Sequence, residues 1–173
     1  MTSSSAPSTP TAPATPTVPA DVPTTGPNVT GPSERPPVEP ILATQHSAAG
    51  AKAFAEFFIR TIDWGYATTS SAYMRHYFQP SCEQCEVVAR LLDNAHRSGD
   101  QYIGGRITLK SSQVLAFEPV PIVDLHLLVT ADEVIDRHGK PKDADVAYPN
   151  LRERISLTWN QERWVIKDMR GDS

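Results

Sequence analysis

Two cysteines, Cys82 and Cys85, are the residues whose spacing most directly suggests chemistry in this chain. Such a pair can form half of a zinc site, a redox-active dithiol or a structural disulfide. A zinc site usually takes four ligands, and no two of the five histidines lie at the spacing of a zinc finger. A thioredoxin-like pair follows a strand, whereas this one follows a predicted helix and Pro80, and Glu83 and Glu86 disfavour a thiolate.

The spacing favours a structural disulfide in the first turn of a helix. Residues i and i+3 of a helix lie about 5–6 Å apart, a separation that a disulfide tolerates. A pair of reduced cysteines in the core is the other interpretation left open. A disulfide between Cys82 and Cys85 would fit an oxidising compartment.

Asp124 and His126 form a second candidate pair, because they lie two residues apart on a predicted strand and share one of its faces. A carboxylate beside an imidazole can act in acid–base catalysis. Both residues alternate with apolar ones, which places them on the open side of the sheet. There we expect Asp124 to form a cross-strand ion pair with Arg152 or Arg154. We expect Asp124→Asn and His126→Ala each to cost within about 0.5 kcal/mol.

Three helices are predicted ahead of these strands. Residues 47–67 have an apolar stripe at helical spacing that includes Phe54, Phe58 and Ile62. A short helix is predicted at 71–77, and a third at 82–97. Ser81 and Gln84 match a capping box at the start of the third helix.

From Tyr102 onward, apolar and polar residues alternate, which is typical of antiparallel strands with one buried face. The alternation is clearest in residues 123–129 and 151–159. Gly104 and Gly105 are predicted to mark a bulge or sharp bend where the sheet begins. Helices followed by strands predict an α+β domain, placed at residues 41–173, with an antiparallel sheet of about four strands.

Residues 1–40 differ in composition from this domain. They contain eleven of the sixteen prolines, and no aromatic residue occurs before Phe54. Such a stretch cannot bury enough apolar surface to offset its ordering entropy. We therefore predict a disordered stalk rich in Pro, Thr, Ser and Ala, whose removal should leave the melting temperature unchanged.

The charge balance and hydropathy exclude some partners. A net charge of −4 argues against nucleic acid, which requires a basic face. No apolar run approaches the roughly 18–20 residues needed to span a bilayer. The first residues have neither the charged nor the apolar region of a secretory signal.

Four motifs occur in a fixed order: AGAKAF at the start of the first helix, Tyr66-Ala67 near its end, Pro80-Ser81-Cys82-x-x-Cys85, and Gly104-Gly105 before the first strand. Over residues 48–117 this order resembles a family of uncharacterised actinobacterial cell-surface lipoproteins. The helices on a curved antiparallel sheet resemble the cone fold of nuclear transport factor 2 (NTF2) and its relatives. The resemblance implies a location outside the cell membrane and a lipid anchor ahead of the stalk, although no cysteine precedes Cys82 in this chain.

Cone folds often hold a pocket between the sheet and the helices, and the resemblance places Asp63, Trp64, Tyr66 and Tyr102 at its possible mouth. We expect a non-enzymatic module that binds a small ligand or an envelope protein. The alternative is a small-molecule enzyme of the isomerase, cyclase or hydrolase type, because the fold hosts both classes. No catalytic residue, cofactor or metal ligand is assigned.

Overall fold

The computed structural model describes residues 16–172, in which three α-helices precede seven strands. A turn of 3₁₀ helix at Ile41–Thr44 is followed by α1 (Ala48–Thr68), α2 (Ala72–Arg75) and α3 (Glu83–Ser98). The strands are β1 (Gln101–Gly104), β2 (Ile107–Ala116), β3 (Ile122–Val129), β4 (Asp132–Ile135), β5 (Pro141–Asp145), β6 (Tyr148–Asn160) and β7 (Arg163–Asp172).

Helix α1 begins and ends within one residue of its predicted bounds. Ser47 caps the helix by accepting a hydrogen bond from the backbone N–H of Gly50 at 3.0 Å. Thr69 ends it in the left-handed conformation, with φ of 52°. The apolar stripe predicted for this helix is buried, as Phe54, Phe58 and Ile62 show.

The start of α3 differs from the predicted capping box. The helix begins at Glu83, and its N-cap is Cys82, whose side chain makes no capping hydrogen bond. The backbone N–H of Cys82 instead donates to the carbonyl of Gln79 at 2.9 Å. Residues 79–82 therefore form a turn, and Ser81 lies inside this turn rather than in the extended conformation that a cap requires.

The strands form two antiparallel sheets. The larger sheet has the order β2-β3-β6-β7, which confirms the predicted four strands, and the smaller has the order β1-β4-β5. Helix α1 packs on both sheets, and α3 packs on β7. The inward residues of the larger sheet are fully or almost fully buried, among them Val123, Leu125, Leu127, Ile155 and Leu157. The predicted α+β architecture, with helices covering curved antiparallel sheets, is confirmed.

Gly104 and Gly105 connect the two sheets, at the position where a bend was predicted. Both have positive φ, of 84° and 66°. A Cβ atom on Gly104 would lie 2.2 Å from the carbonyl oxygen of Ala131. The chain can therefore turn from β1 into β2 only with glycine at this position.

The domain begins earlier than the predicted boundary at residue 41. Val22 is 5% exposed and belongs to the hydrophobic core, and Asn28 is 6% exposed. The amide of Asn28 donates to the carbonyl of Gly104 at 2.6 Å, and its backbone N–H donates to Ala67 at 3.0 Å. Residues 21–37, which we call the N-terminal strap, thus pack on the folded domain, so the predicted stalk does not extend to residue 40. Residues 1–15 lie outside the described part.

Backbone carbonyls and charged side chains hold the N-terminal strap in place. The carbonyl of Pro23 accepts the indole N–H of Trp64 at 2.8 Å, and the carbonyl of Pro37 accepts the hydroxyl of Tyr73. Asp21 pairs with His76 at 2.9 Å. Proline composition alone predicts none of these contacts. Two of them use backbone carbonyls, which every residue has, and the third joins two side chains 55 residues apart in the chain.

Candidate functional site

A cavity of about 580 Å³ lies between the helices and the two sheets. Its apolar wall comes from α1, α3, β3 and β6 and includes Ile59, Ile62, Val88, Leu91, Leu127 and Leu151. The helical residues recur at spacings of three and four, which direct them to one face of each helix. The volume lies within the range of about 300–1,000 Å³ that is usual for small-molecule sites.

Two tyrosines form a polar wall of this cavity. Tyr66 of α1 and Tyr102 of β1 pack edge to face, with ring centroids 5.1 Å apart. Burial raises the pKa of each hydroxyl to about 12, so both stay protonated at neutral pH. Within residues 16–172, no hydrogen-bond partner is found for the hydroxyl of Tyr102, and the residue as a whole is 5% exposed.

Three aspartates of the smaller sheet face the same space. Asp132 of β4 and Asp145 of β5 are cross-strand partners, and Asp143 lies two residues before Asp145. Burial, followed by repulsion from Asp145 and Asp143, raises the pKa of Asp132. Tyr148 donates a hydrogen bond to Asp145 at 2.9 Å. This part of the lining therefore concentrates negative charge, with Asp132 partly buried and Asp143 and Asp145 exposed.

Glu153 of β6, which is 9% exposed, also lines the cavity. Among the described lining residues there is no lysine, arginine or histidine. Lys142 of β5 is engaged elsewhere, since its ammonium contacts the carboxylate of Asp100 at 2.5 Å. In the part that the structure describes, no group of three or more His, Cys, Asp or Glu side chains is arranged to hold a metal ion.

Of the four residues placed at the pocket mouth from the sequence, Tyr66 and Tyr102 line the cavity. Asp63 and Trp64 do not, because both face the N-terminal strap. Asp63 accepts hydrogen bonds from Arg106 at 2.9 and 2.8 Å and from the backbone N–H of Ile107 at 2.7 Å. The indole of Trp64 is likewise directed to the strap, as described above.

Arg106 joins Asp63 to the N-terminal strap. Its guanidinium contacts Glu34 at 2.5 Å and the carbonyl of Asn28 at 3.2 Å. The hydrogen bond from Arg106 lowers the pKa of Glu34, and the bond with Asp63 raises the pKa of Arg106 itself. This network holds the strap against the beginning of β2, and its role is structural.

We expect Asp63→Ala to destabilise the fold by about 2–3 kcal/mol. The change leaves a guanidinium that is only 25% exposed without its main carboxylate, and it also removes the acceptor of Ile107. Asp63→Asn should cost less, because the amide oxygen can still accept from Ile107. Urea unfolding measures both variants. A loss below about 0.5 kcal/mol for Asp63→Ala would show that the network contributes nothing beyond a surface ion pair.

Asp124 and His126 lie on the face of the larger sheet that points away from the cavity. The predicted cross-strand ion pair is confirmed, since Arg152 contacts Asp124 at 2.7 Å. The hydrogen bond from Arg152 is the main cause of the lowered pKa of Asp124, and His126 lies 3.4 Å away. Asp124 is only 1% exposed, however, whereas His126 is 44% exposed. The exposed position assumed for Asp124 is therefore wrong, and the near-neutral effect expected of Asp124→Asn and His126→Ala stays a prediction.

The Sγ atoms of Cys82 and Cys85 are 1.99 Å apart, at disulfide distance. Both cysteines are fully buried. They stand at the start of α3, the helix that supplies Gln84 and Val88 to the cavity. The link therefore constrains the segment that positions one wall of the site.

Sequence reasoning missed the acidic part of the lining, namely Asp132, Asp143, Asp145 and Glu153. A signal was present: Asp143 and Asp145 are two residues apart, so a strand places them on one face. That strand was not predicted because all five residues of β5 are exposed and have no apolar alternation. Glu153 was read only as one of the inward positions of β6.

The fold is similar to solved structures at low sequence identity. The crystal structure of the intermembrane space region of the chloroplast protein ARC6 matches with a TM-score of 0.51 and 11% identity, over 72% of this chain and 95% of that chain. A variant of a protein named Rd1NTF2 matches with a TM-score of 0.38 and 11% identity, over 69% of this chain and 96% of that chain. At such identity the first likeness concerns the fold alone.

No curated protein is significantly similar to the chain. None of the helices in residues 16–172 has the length and apolar character needed to cross a membrane. A family model matches residues 13–170, which include both the N-terminal strap and every residue of the cavity lining. The chain therefore belongs to the family of unknown function DUF6318.

Proposed function

We propose that the domain is a non-enzymatic binding module that holds a small molecule in the cavity between α1, α3 and the sheets. The observation that carries this proposal is the cavity itself: about 580 Å³ in volume, with apolar walls and a polar side formed by tyrosines and carboxylates. Apolar surroundings with a few convergent polar groups are typical of small-molecule sites. An envelope protein remains the other class of partner for this module.

The ionisable groups of the cavity support binding over catalysis. Nucleophilic and acid–base catalysis need a nucleophile or base poised near the working pH and a partner within hydrogen-bond reach. Tyr66 and Tyr102 have pKa values of about 12 and stay protonated near neutral pH. Neither of the Asp–His ion pairs found in residues 16–172 lies in the cavity. Asp124 and His126 are on the opposite face of the larger sheet, and Asp21 and His76 join the N-terminal strap to the end of α2.

An enzyme of the cone superfold is the second candidate, and one observation favours it. Asp132 lines the cavity and its pKa is raised by burial and by neighbouring carboxylates. A raised carboxyl pKa in a cleft is a common property of a catalytic acid. Turnover that requires Asp132 would favour this candidate, whereas saturable binding without turnover favours the module.

The proposed location is the outer side of a bacterial cell membrane, as part of a lipoprotein with an N-terminal anchor. Support comes from the cysteine pair at disulfide distance, since disulfides persist in oxidising compartments. The motif order that resembles actinobacterial cell-surface lipoproteins also supports it. Mass spectrometry of the protein isolated from its own cells would test both the lipid and the disulfide.

Binding in the cavity can be tested with N-phenyl-1-naphthylamine, an uncharged probe that fluoresces in apolar surroundings. We expect saturable binding to the wild-type domain, and at least about tenfold weaker binding to Val88→Trp, because the larger side chain occupies space that the probe needs. Intrinsic fluorescence and thermal unfolding check that the variant is folded.

Val87→Trp is the matched control. Val87 is the neighbouring residue on the same helix, is 48% exposed and does not line the cavity. The affinity of Val87→Trp for N-phenyl-1-naphthylamine should equal that of the wild type. Equal affinity of all three proteins would place the probe elsewhere, and a lack of saturable binding to the wild type would contradict the proposed function.

A further inference from the structure

The charge of the cavity is of one sign. Its described lining residues include four carboxylates, Asp132, Asp143, Asp145 and Glu153, and no basic side chain. The nearby Lys142 is directed to Asp100 and does not neutralise them. Among the described lining residues, a ligand that enters this space therefore meets carboxylates and no basic side chain.

The acidic residues have a defined place relative to the aromatic ones. Asp132 and Asp145 lie directly opposite each other on β4 and β5, and Asp143 shares their side of the smaller sheet. Tyr66 and Tyr102 line the same cavity and cross edge to face. Both aspartates and tyrosines attract a cation, the former by charge and the latter through the ring face.

Tyr102 gives an independent indication of a polar ligand. The side chain is 5% exposed and lines the cavity, and in residues 16–172 its hydroxyl has no hydrogen-bond partner. The hydroxyl can therefore pair with the polar head of a ligand in the cavity, while the rest of the residue is enclosed by protein.

We propose that the cavity selects a ligand with a protonated amine attached to an apolar body, which deepens the proposed function and rests on it. The ammonium group lies among Asp132, Asp143 and Asp145, next to Tyr102. The apolar part extends along the wall formed by α1 and α3, where Ile62, Val88 and Leu91 lie.

The electrostatics of the cavity agrees with this assignment. Burial and the charges of Asp145 and Asp143 raise the pKa of Asp132, so the acidic cluster opposes its own ionisation. An ammonium ion in the cluster would offset the repulsion between these carboxylates. A carboxylate or phosphate ligand would add to it and would lose its hydration without gaining a cation.

The test is competition against N-phenyl-1-naphthylamine by three ligands of equal chain length: octylammonium, 1-octanol and octanoate, at neutral pH, low salt and below micelle formation. For the wild-type domain, octylammonium should displace the probe at a concentration at least about tenfold lower than octanol, and octanoate should be the weakest. Added salt should reduce the advantage of octylammonium only.

Asp132→Asn and Glu133→Gln form a matched pair of variants. Each removes one negative charge from β4, but Glu133 is exposed and does not line the cavity. Asp132→Asn should weaken the affinity for octylammonium about fivefold to tenfold and leave the affinity for octanol unchanged. Glu133→Gln should change the affinity for neither ligand by more than about twofold.

The outcomes separate this proposal from the proposed function. Probe binding with equal displacement by all three ligands overturns cation selection and leaves the binding module intact. Equal losses of octylammonium affinity in Asp132→Asn and Glu133→Gln also overturn cation selection by the cavity, because equal losses would reflect the overall charge of the surface. Failure of the probe to bind the wild type contradicts the proposed function itself.

Discussion

A chain that begins at residue 41 is expected to be less stable than one that begins at residue 16 by on the order of 3–5 kcal/mol. The shorter chain loses the buried side chain of Val22 and the hydrogen-bond acceptor of Trp64, whose indole is otherwise enclosed. It also loses Glu34 and Asn28, which complete the contacts of Arg106. Urea unfolding of the two chains, neither of which contains residues 1–15, measures the difference.

The proline content of the N-terminal strap helps it to pack. Five of residues 21–37 are proline. Proline restricts the unfolded chain, so less conformational entropy is lost when the segment is ordered. The lack of apolar side chains in this segment predicts disorder, but its prolines lower the entropic cost of ordering it. The apolar groups on which it packs come from the surface of the domain. Equal stability of the two chains would restore the predicted boundary at residue 41.

Gly26→Ala and Gly31→Ala test the same contact without shortening the chain. A Cβ atom on Gly26 would lie 2.4 Å from the Cα of Thr68 and 2.5 Å from the carbonyl of Ala67, whereas one on Gly31 would meet nothing within 4 Å. The first change should therefore cost about 1–3 kcal/mol by forcing the N-terminal strap away from α1. The second should be neutral within about 0.5 kcal/mol.

Sequence reasoning located the helices and the larger sheet because their burial follows a period. Residues of α1 repeat at helical spacing, and the predicted bounds differ from Ala48–Thr68 by one residue at each end. Residues of β3 and β6 alternate, and the register pairs Asp124 with Arg154 and places Arg152 within contact distance of Asp124. In both cases one face of the element supplies the core, and this face is readable in the sequence.

The smaller sheet and the N-terminal strap were not predicted because neither follows such a period. Strand β5 is exposed throughout, and it is held by backbone pairing to β4 and by the contact of Lys142 with Asp100. The strap is held by its carbonyls and by Arg106. Contacts made by backbone atoms, or by charged residues far apart in the chain, leave no local pattern.

The presence or absence of a local sequence pattern also determines which residues of the candidate site could be predicted. Tyr66 and Tyr102 line the cavity. Asp63 immediately precedes Trp64 and lies three residues before Tyr66, but the long-range contact with Arg106 determines its role. The aspartates of β4 and β5 entered the site only once the smaller sheet was known. Their position depends on tertiary pairing and not on local sequence.

Phe58→Ala is expected to reduce the free energy of unfolding by about 3–5 kcal/mol, the usual cost of emptying an aromatic core position. Phe58 is fully buried on α1 and packs edge to face on Phe78, with ring centroids 6.3 Å apart. Leu115→Ala serves as the control, because Leu115 is 47% exposed and should cost within about 0.5 kcal/mol. Phe58 does not line the cavity, so the folded fraction should keep its affinity for N-phenyl-1-naphthylamine. A variant that stayed stable but lost the probe would place Phe58 in the binding site and not in the supporting core.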